Sequence, residues 1–327
     1  MDFQSNQFEI IKKYKPDIKD SSINAYLNTI KKISRELFNS DKYSLKYFKD
    51  TDTIIEYLES IPVIATRKNI TTAIIVVLKA NLHSTSDPEN KNKIEQLLPI
   101  YTNYHKDLAV KQNDSYLDNK KTEKEENNWI TQKEIFDKIE ELHKKLGNLT
   151  KKTVQFKGNK RTYVDTFQMY LVLNLYTMIP PIRNDFANLE IIDSEIYSDK
   201  INYINLKTKE LILTNYKTVK SYGVKKLPLP DDLIKLIEKY IKVRTTYLGE
   251  SKTLLINTTN LEPMKPNGLT KYLNKIFAPK KVSTTLLRKS YISFKYPVDH
   301  TMREREQDSI FMGHSVGMAS SVYSKKL

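Results

Sequence analysis

At 327 residues the chain has room for two domains and a sizeable core. A net charge of +15 and a pI near 9.4 point to a polyanionic partner. The excess is concentrated, since residues 200–300 hold 20 Lys+Arg against 7 Asp+Glu. No cysteine is present, which excludes disulfides, thiolate catalysis and cysteine-ligated zinc. The five histidines, His83, His105, His143, His300 and His314, show no paired ligand spacing, so neither a metal nor any other cofactor is expected. The N-terminus lacks a basic segment followed by an apolar run. The longest apolar run, Ala73–Leu78, is far too short for a bilayer. The expectation is an intracellular protein of nucleus or cytoplasm, not secreted and with no membrane partner.

In chain order, residues 20–38 place Ile23, Tyr26, Leu27, Ile30, Ile33, Leu37 and Phe38 at helical spacing, with Ser21 or Ser22 available as a cap. Further helices are predicted at Thr53–Leu58, at Thr66–Leu82 and from Asp87 to Ala109, where Asp87-Pro88 has the form of a cap with proline in the first turn. Residues 1–110 therefore read as a compact all-α domain. Phe3, Phe8, Ile10, Ile11 and Tyr14 precede the first periodic helix and read as an apolar terminal arm for a neighbouring protomer. Residues 111–128 are polar and mixed in charge, as in an interdomain linker. The second domain, 129–327, opens with the lone tryptophan, Trp129, as a core anchor. A capping box of Thr131 and Glu134 follows, with Ile130 as a staple.

An apolar helix is expected over Tyr163–Ile179 and is stopped by Pro180-Pro181. Arg183 follows at the predicted start of another helix, where free N–H groups and a guanidinium together suit a phosphate oxygen. Asp185 is placed to orient that guanidinium, or only to cap the helix. Strand-like runs at 189–192, 201–206, 210–214 and 224–229 suggest a small antiparallel sheet, so the fold class is mainly α with a small sheet (α+β). The connection at 215–223 carries Lys217 and Lys220. Helices are predicted at 230–247, 266–277 and 282–294, the last bearing Thr285 and Arg288. A Gly313-His314-Ser315 turn then leads to a short helix with Tyr323 nine positions after His314. A phenol of pKa near 10 attacks poorly unless cations gather around its target. On its own, this stretch reads better as a C-terminal amphipathic helix whose tyrosine merely packs.

The order of these pieces resembles the tyrosine recombinase (phage integrase) family over residues 129–327, with a family-like core-binding domain before them. Pro181-Ile-Arg183-Asn-Asp-Phe-Ala-Asn-Leu189 is similar to the first arginine box, Thr285-Leu-Leu-Arg288 to the second, and Gly313-His314-Ser315 to the third. The first box looks most like recombinases of eukaryotic viruses and mobile elements. The resemblance implies a lysine in the β-turn, best fitted by Lys217 with Lys220 as the runner-up. Thr285 stands where the family usually has histidine; its hydroxyl can donate to a phosphoryl oxygen but carries no charge.

What the resemblance implies is DNA breakage and rejoining through a 3′-phosphotyrosyl intermediate at Tyr323. Arg183 and Arg288 would neutralise the phosphoryl group, and His314 would donate to a nonbridging oxygen or accept the tyrosine proton. Lys217 would protonate the leaving 5′-oxygen. Asp185, Thr285 and Lys220 would support the phosphate. The partner implied is double-stranded DNA, held by a homotetramer on paired sites, with Lys31, Lys32, Arg35, Arg67 and Lys68 of the first domain among the phosphate contacts. A type IB topoisomerase uses nearly the same residues, and a DNA-binding relative without chemistry is the alternative of another class. Only Ser324–Leu327 follow the nucleophile, too few residues for the C-terminal helix that family members commonly donate to a neighbour.

Overall fold

The computed structural model describes residues 3–40, 45–117, 121–147, 159–194, 200–296, 302–318 and 322–324. The chain divides into two compact units, Met1–Asp118 and Asn119–Leu327.

The first unit is built from α1 (Phe3–Tyr14), α2 (Asp20–Phe38), α3 (Thr51–Ser60), α4 (Ile64–Ser84) and α5 (Pro88–Leu117). Helix α4 is apolar on most sides, with Ala73, Ile74, Val76, Val77, Leu78 and Ala80 buried, as befits a central helix with neighbours around it. α2 lays Ile23, Leu27, Ile30 and Ile33 against it. Neither Ser21 nor Ser22 caps α2. Both lie inside its first turn, after an N-cap Lys19 that makes no side-chain cap bond. From Gln7 to Tyr14 the expected arm is not free for a neighbour, and the Phe3 side chain lies outside the described residues. This stretch belongs to α1, whose Ile11 is fully buried and whose Gln7 exchanges amide hydrogen bonds with Asn81 of α4 at 3.2 and 2.8 Å. Apolar residues that could have met a partner instead complete this unit's own core.

The stretch expected as a linker is helical at both ends. α5 continues to Leu117, and α6 (Glu123–Asn128) starts on a full capping box between Thr122 and Glu125. α6 is fastened to the second unit. The Glu125 carboxylate pairs with Lys289, and Asn128 Oδ1 accepts the Lys281 N–H at 2.6 Å.

In the second unit, α7 (Gln132–Leu146) begins on the Thr131–Glu134 capping box, with Trp129 and Ile130 buried beside it. α8 (Lys160–Met178) buries Phe167, Leu171 and Leu175 against α7 and α10 (Asp231–Leu248). Four short strands follow, β1 (Glu190–Ile192), β2 (Tyr203–Asn205), β3 (Glu210–Leu213) and β4 (Lys225–Pro228), in the order β1-β2-β3-β4. The sheet is mixed rather than purely antiparallel: β2–β3 and β3–β4 are antiparallel, but β1 pairs with β2 in parallel, Ile191 facing Ile204. Residue patterning within either strand does not encode that direction. Between β3 and β4 the connection makes one helical turn, α9 (Val219–Tyr222). α11 (Pro266–Ile276), α12 (Thr284–Lys295), α13 (Met302–Met312) and the short α14 (Val316–Met318) complete the unit. Among the described residues no helix is long and apolar enough to cross a membrane.

Candidate active site

Helix α12 starts where Ser283 Oγ accepts the Leu286 N–H at 3.2 Å, and this places Arg288 one turn in, on the buried face. Arg288 is fully buried. Its Nη1 donates to Tyr323 Oη at 2.8 Å, its Nη2 donates to the Met312 carbonyl at 2.8 Å, and the guanidinium sits 4.5 Å from the Tyr323 ring centre. That ring stacks on the His314 imidazole at 4.6 Å and 20°. Nine residues of continuous helix would separate the two along the axis by about 13 Å, so they do not sit at opposite ends of one straight element. They are in contact.

His314 Nδ1 lies 3.3 Å from the Ser315 carbonyl. A carbonyl only accepts, so Nδ1 carries the proton and Nε2 is the bare nitrogen. Nε2 is buried and has no partner among the described residues. Burial, then the charge of Arg288, and with smaller weight Arg183 and Lys225, push the imidazole pKa down to about 4. At neutral pH His314 is therefore an uncharged ring with an open acceptor.

Arg183 reaches this cluster from the other side. It does not begin a helix; it precedes a single 3₁₀ turn, Asn184–Phe186. The proline break after α8 delivers it in extended conformation, and Tyr176 Oη donates to its carbonyl at 3.4 Å. The turn is tied to α12, where Thr284 Oγ1 donates to Asn184 Oδ1 at 2.8 Å. Gly313 makes the close approach of Arg183 possible. Its φ is +76°, and a Cβ there would stand 2.8 Å from Thr218 Oγ1 and 3.3 Å from Arg183 Nη1.

An open cavity of about 640 Å³ is lined by Arg183, Asp185, Lys217 and Thr285 among others, and Arg288, His314 and Tyr323 are not part of its lining. Lys217 and Thr285 are exposed at its wall. Lys220 is exposed on α9 and does not line the cavity. Burial raises the Asp185 pKa, opposed by the charges of Arg183, Arg288 and Lys225. Among the described residues, no group of three or more His, Cys, Asp or Glu could hold a metal ion.

Three residues of this region escaped the sequence reading. Lys225 opens β4 and is almost fully buried. Burial and the charges of Arg183 and Arg288 lower its pKa to about 8. Thr218 and Thr284 fasten turns to one another. The only signal for Lys225 was its strand position, where Leu227 two residues later shares its face.

The basic residues of the first unit divide. Lys31, Lys32 and Arg35 lie exposed on α2, with Lys32 3.7 Å from Glu36. Arg67 is committed within the unit, donating to the Ile61 and Glu59 carbonyls at 2.5 and 3.0 Å. Lys68 donates to Gln112 at 2.7 Å.

No protein-family model matches the sequence, and no curated protein matches it. Among solved structures, the fold is similar to the crystal structure of XerA recombinase, at 12% identity and a TM-score of 0.39, over 97% of this chain and 93% of that one.

Proposed function

We propose that this chain breaks and rejoins DNA in the manner of a tyrosine recombinase, with Tyr323 as nucleophile. The observation that carries the reading is the Tyr323 phenol, hydrogen-bonded to a fully buried arginine at 2.8 Å and stacked on an imidazole whose second nitrogen is buried with no partner among the described residues. Packing alone does not need an acceptor left open beside a tyrosine, and a buried acceptor without a donor is costly. A phosphodiester set among Arg183, Arg288 and His314 supplies an anion for the two guanidiniums, and the proton that Nε2 can accept comes from the Tyr323 phenol.

In the reaction, Tyr323 Oη forms a bond to phosphorus as the 5′-oxygen leaves with the electron pair of the broken P–O bond. His314 Nε2, bare and close to the phenol ring, takes the tyrosine proton. Arg183 and Arg288 bind the nonbridging oxygens, where charge grows in the five-coordinate transition state. Lys217, at the cavity wall, gives the 5′-oxygen a proton, and the Thr285 hydroxyl adds a neutral hydrogen bond. A free 5′-hydroxyl reverses these steps on the new strand, and no external energy source enters. Lys31, Lys32 and Arg35 of the first unit bind backbone phosphates, and Arg67 and Lys68 can join them only by leaving their internal partners. The working assembly is a homotetramer on two duplexes, and the reaction takes place inside the host cell.

The test is covalent trapping on a pool of nicked duplexes of randomised sequence, with the adduct mapped by mass spectrometry. The expected result is a phosphotyrosyl peptide at Tyr323 that disappears in Tyr323→Phe while the pool is still bound. An adduct on another tyrosine, or none with the native protein, refutes the reading.

A further inference from the structure

We infer that Lys225 is a positioning residue of this site, holding the C-terminal end of α13 so that the Gly313–His314 turn stands against Arg183 and Arg288. The inference rests on the function proposed above.

The last four carbonyl groups of a helix have no partner within it. In α13 each one finds a partner in the site. The Ser309 carbonyl accepts the His314 N–H at 3.0 Å, and the Ile310 carbonyl accepts the Gly313 N–H at 3.0 Å. Lys225 Nζ donates to the Ile310 carbonyl as well, and to the Phe311 carbonyl at 2.5 Å. Arg288 takes the fourth, that of Met312. Two buried cations thus close the negative end of the helix that leads into the imidazole. The ammonium is further enclosed by the rings of Tyr216, Tyr222 and Phe311, at 4.9, 5.3 and 5.6 Å.

Thr218 directly follows Lys217 in the connection between β3 and β4, and Lys225 stands where that connection enters β4. Thr218 Oγ1 donates to the Gly313 carbonyl at 3.5 Å, and Tyr216 Oη donates to the Gly223 carbonyl at 2.7 Å, drawing the connection closed. The lysine-bearing turn and the histidine-bearing turn are therefore fastened to each other, and Lys225 makes the charged part of the fastening. Its ammonium is turned to backbone oxygens rather than to the cavity, which separates its role from that of Lys217.

The experiment compares the native chain with Lys225→Met and Lys225→Arg. It reads single-turnover adduct formation and equilibrium binding on the randomised nicked-duplex pool. It also reads the His314 ring resonance in the DNA-free protein, assigned by its loss in His314→Gln. Lys225→Met is expected to slow adduct formation about 100-fold, the usual effect of a misplacement near 1 Å. Pool affinity should stay within about threefold, since no phosphate contact is removed, and the His314 resonance should shift. Lys225→Arg, whose guanidinium can serve both carbonyls, should recover most of the rate. If Lys225→Met does not fold, Lys225→Gln replaces it, with one N–H donor kept and values expected between the other two. An unmoved His314 resonance with a native rate overturns the inference. So does recovery of the Met variant on duplexes with sulfur at the 5′-bridging position, because that would make Lys225 the proton donor. If the native chain forms no adduct, the proposed function fails, and the resonance still decides the role of Lys225.

Discussion

His314 ties stability to pH in a direction that can be worked out. In the unfolded chain its pKa is about 6.5, and in the folded chain burial with Arg288 and Arg183 lowers it to about 4. The folded state therefore binds the proton less readily than the unfolded state. Stability attached to this group is complete above pH 6.5, declines as pH falls through the interval to 4, and levels off below that. At about 1.4 kcal/mol per tenfold difference in proton affinity, the full decline is about 3 kcal/mol. The perturbation is His314→Gln, which keeps a polar side chain and removes the titration. Urea unfolding of both proteins at pH 7.5 and 4.0 isolates the effect, because all other groups cancel in the double difference. The native protein should lose about 3 kcal/mol more than the variant. Parallel pH curves within 1 kcal/mol, or an imidazole titrating above pH 6 by NMR, would refute the account of a neutral, desolvated ring among cations. A bound phosphodiester should raise this pKa, so mixing protein with the DNA pool near pH 5.5 should take up protons.

Gly313→Ala should cost about 1 kcal/mol for the positive φ, plus the displacement of Thr218 or Arg183. Adduct formation should fall by at least about tenfold, with partial recovery when Thr218→Ala relieves the contact. Ile11→Ala should destabilise the chain by about 2–5 kcal/mol in denaturant unfolding, whereas a loosely packed terminal arm would leave the midpoint unchanged. Glu125→Ala strips the partner from a lysine whose side chain is 11% exposed and should cost about 3 kcal/mol by the same measurement. With ionic strength matched, adduct formation should survive excess EDTA; a strict magnesium requirement for the chemical step would contradict the mechanism.

Much of the architecture was legible because periodicity reports which face a segment buries. The helices bearing Ile23–Ile33, Phe167–Leu175 and Leu286–Arg288 follow from apolar spacing, whereas the cap expected at Ser21 or Ser22 does not form. The capping box at Thr131 could be read residue by residue. What escaped depends on contacts between distant segments. The extra α1 in the first core needed Gln7 to meet Asn81, a partner more than seventy residues away. The parallel pairing of β1 with β2 is not written in the residue pattern of either strand. In the site, Arg183, Arg288, His314 and Tyr323 were singled out from their order, and the structure brings them to one place. Lys225 was missed because a lysine in a short strand ordinarily faces water, and only the helix end opposite it reveals a reason to be inside. Among the two lysines weighed for the turn, Lys217 alone lines the cavity.

The pairing of Glu125 with Lys289 has a consequence for where the second unit begins. Sequence composition sets that edge at Trp129, yet Thr122 to Asn128 supply both the carboxylate beside Lys289 and the acceptor for the Lys281 N–H. Lys289 adjoins Arg288 in the chain. A fragment cut at Trp129 would take away the carboxylate that pairs with the largely buried Lys289 ammonium. Limited proteolysis should therefore yield a durable piece starting ahead of Thr122, and shorter pieces should be degraded further rather than accumulate.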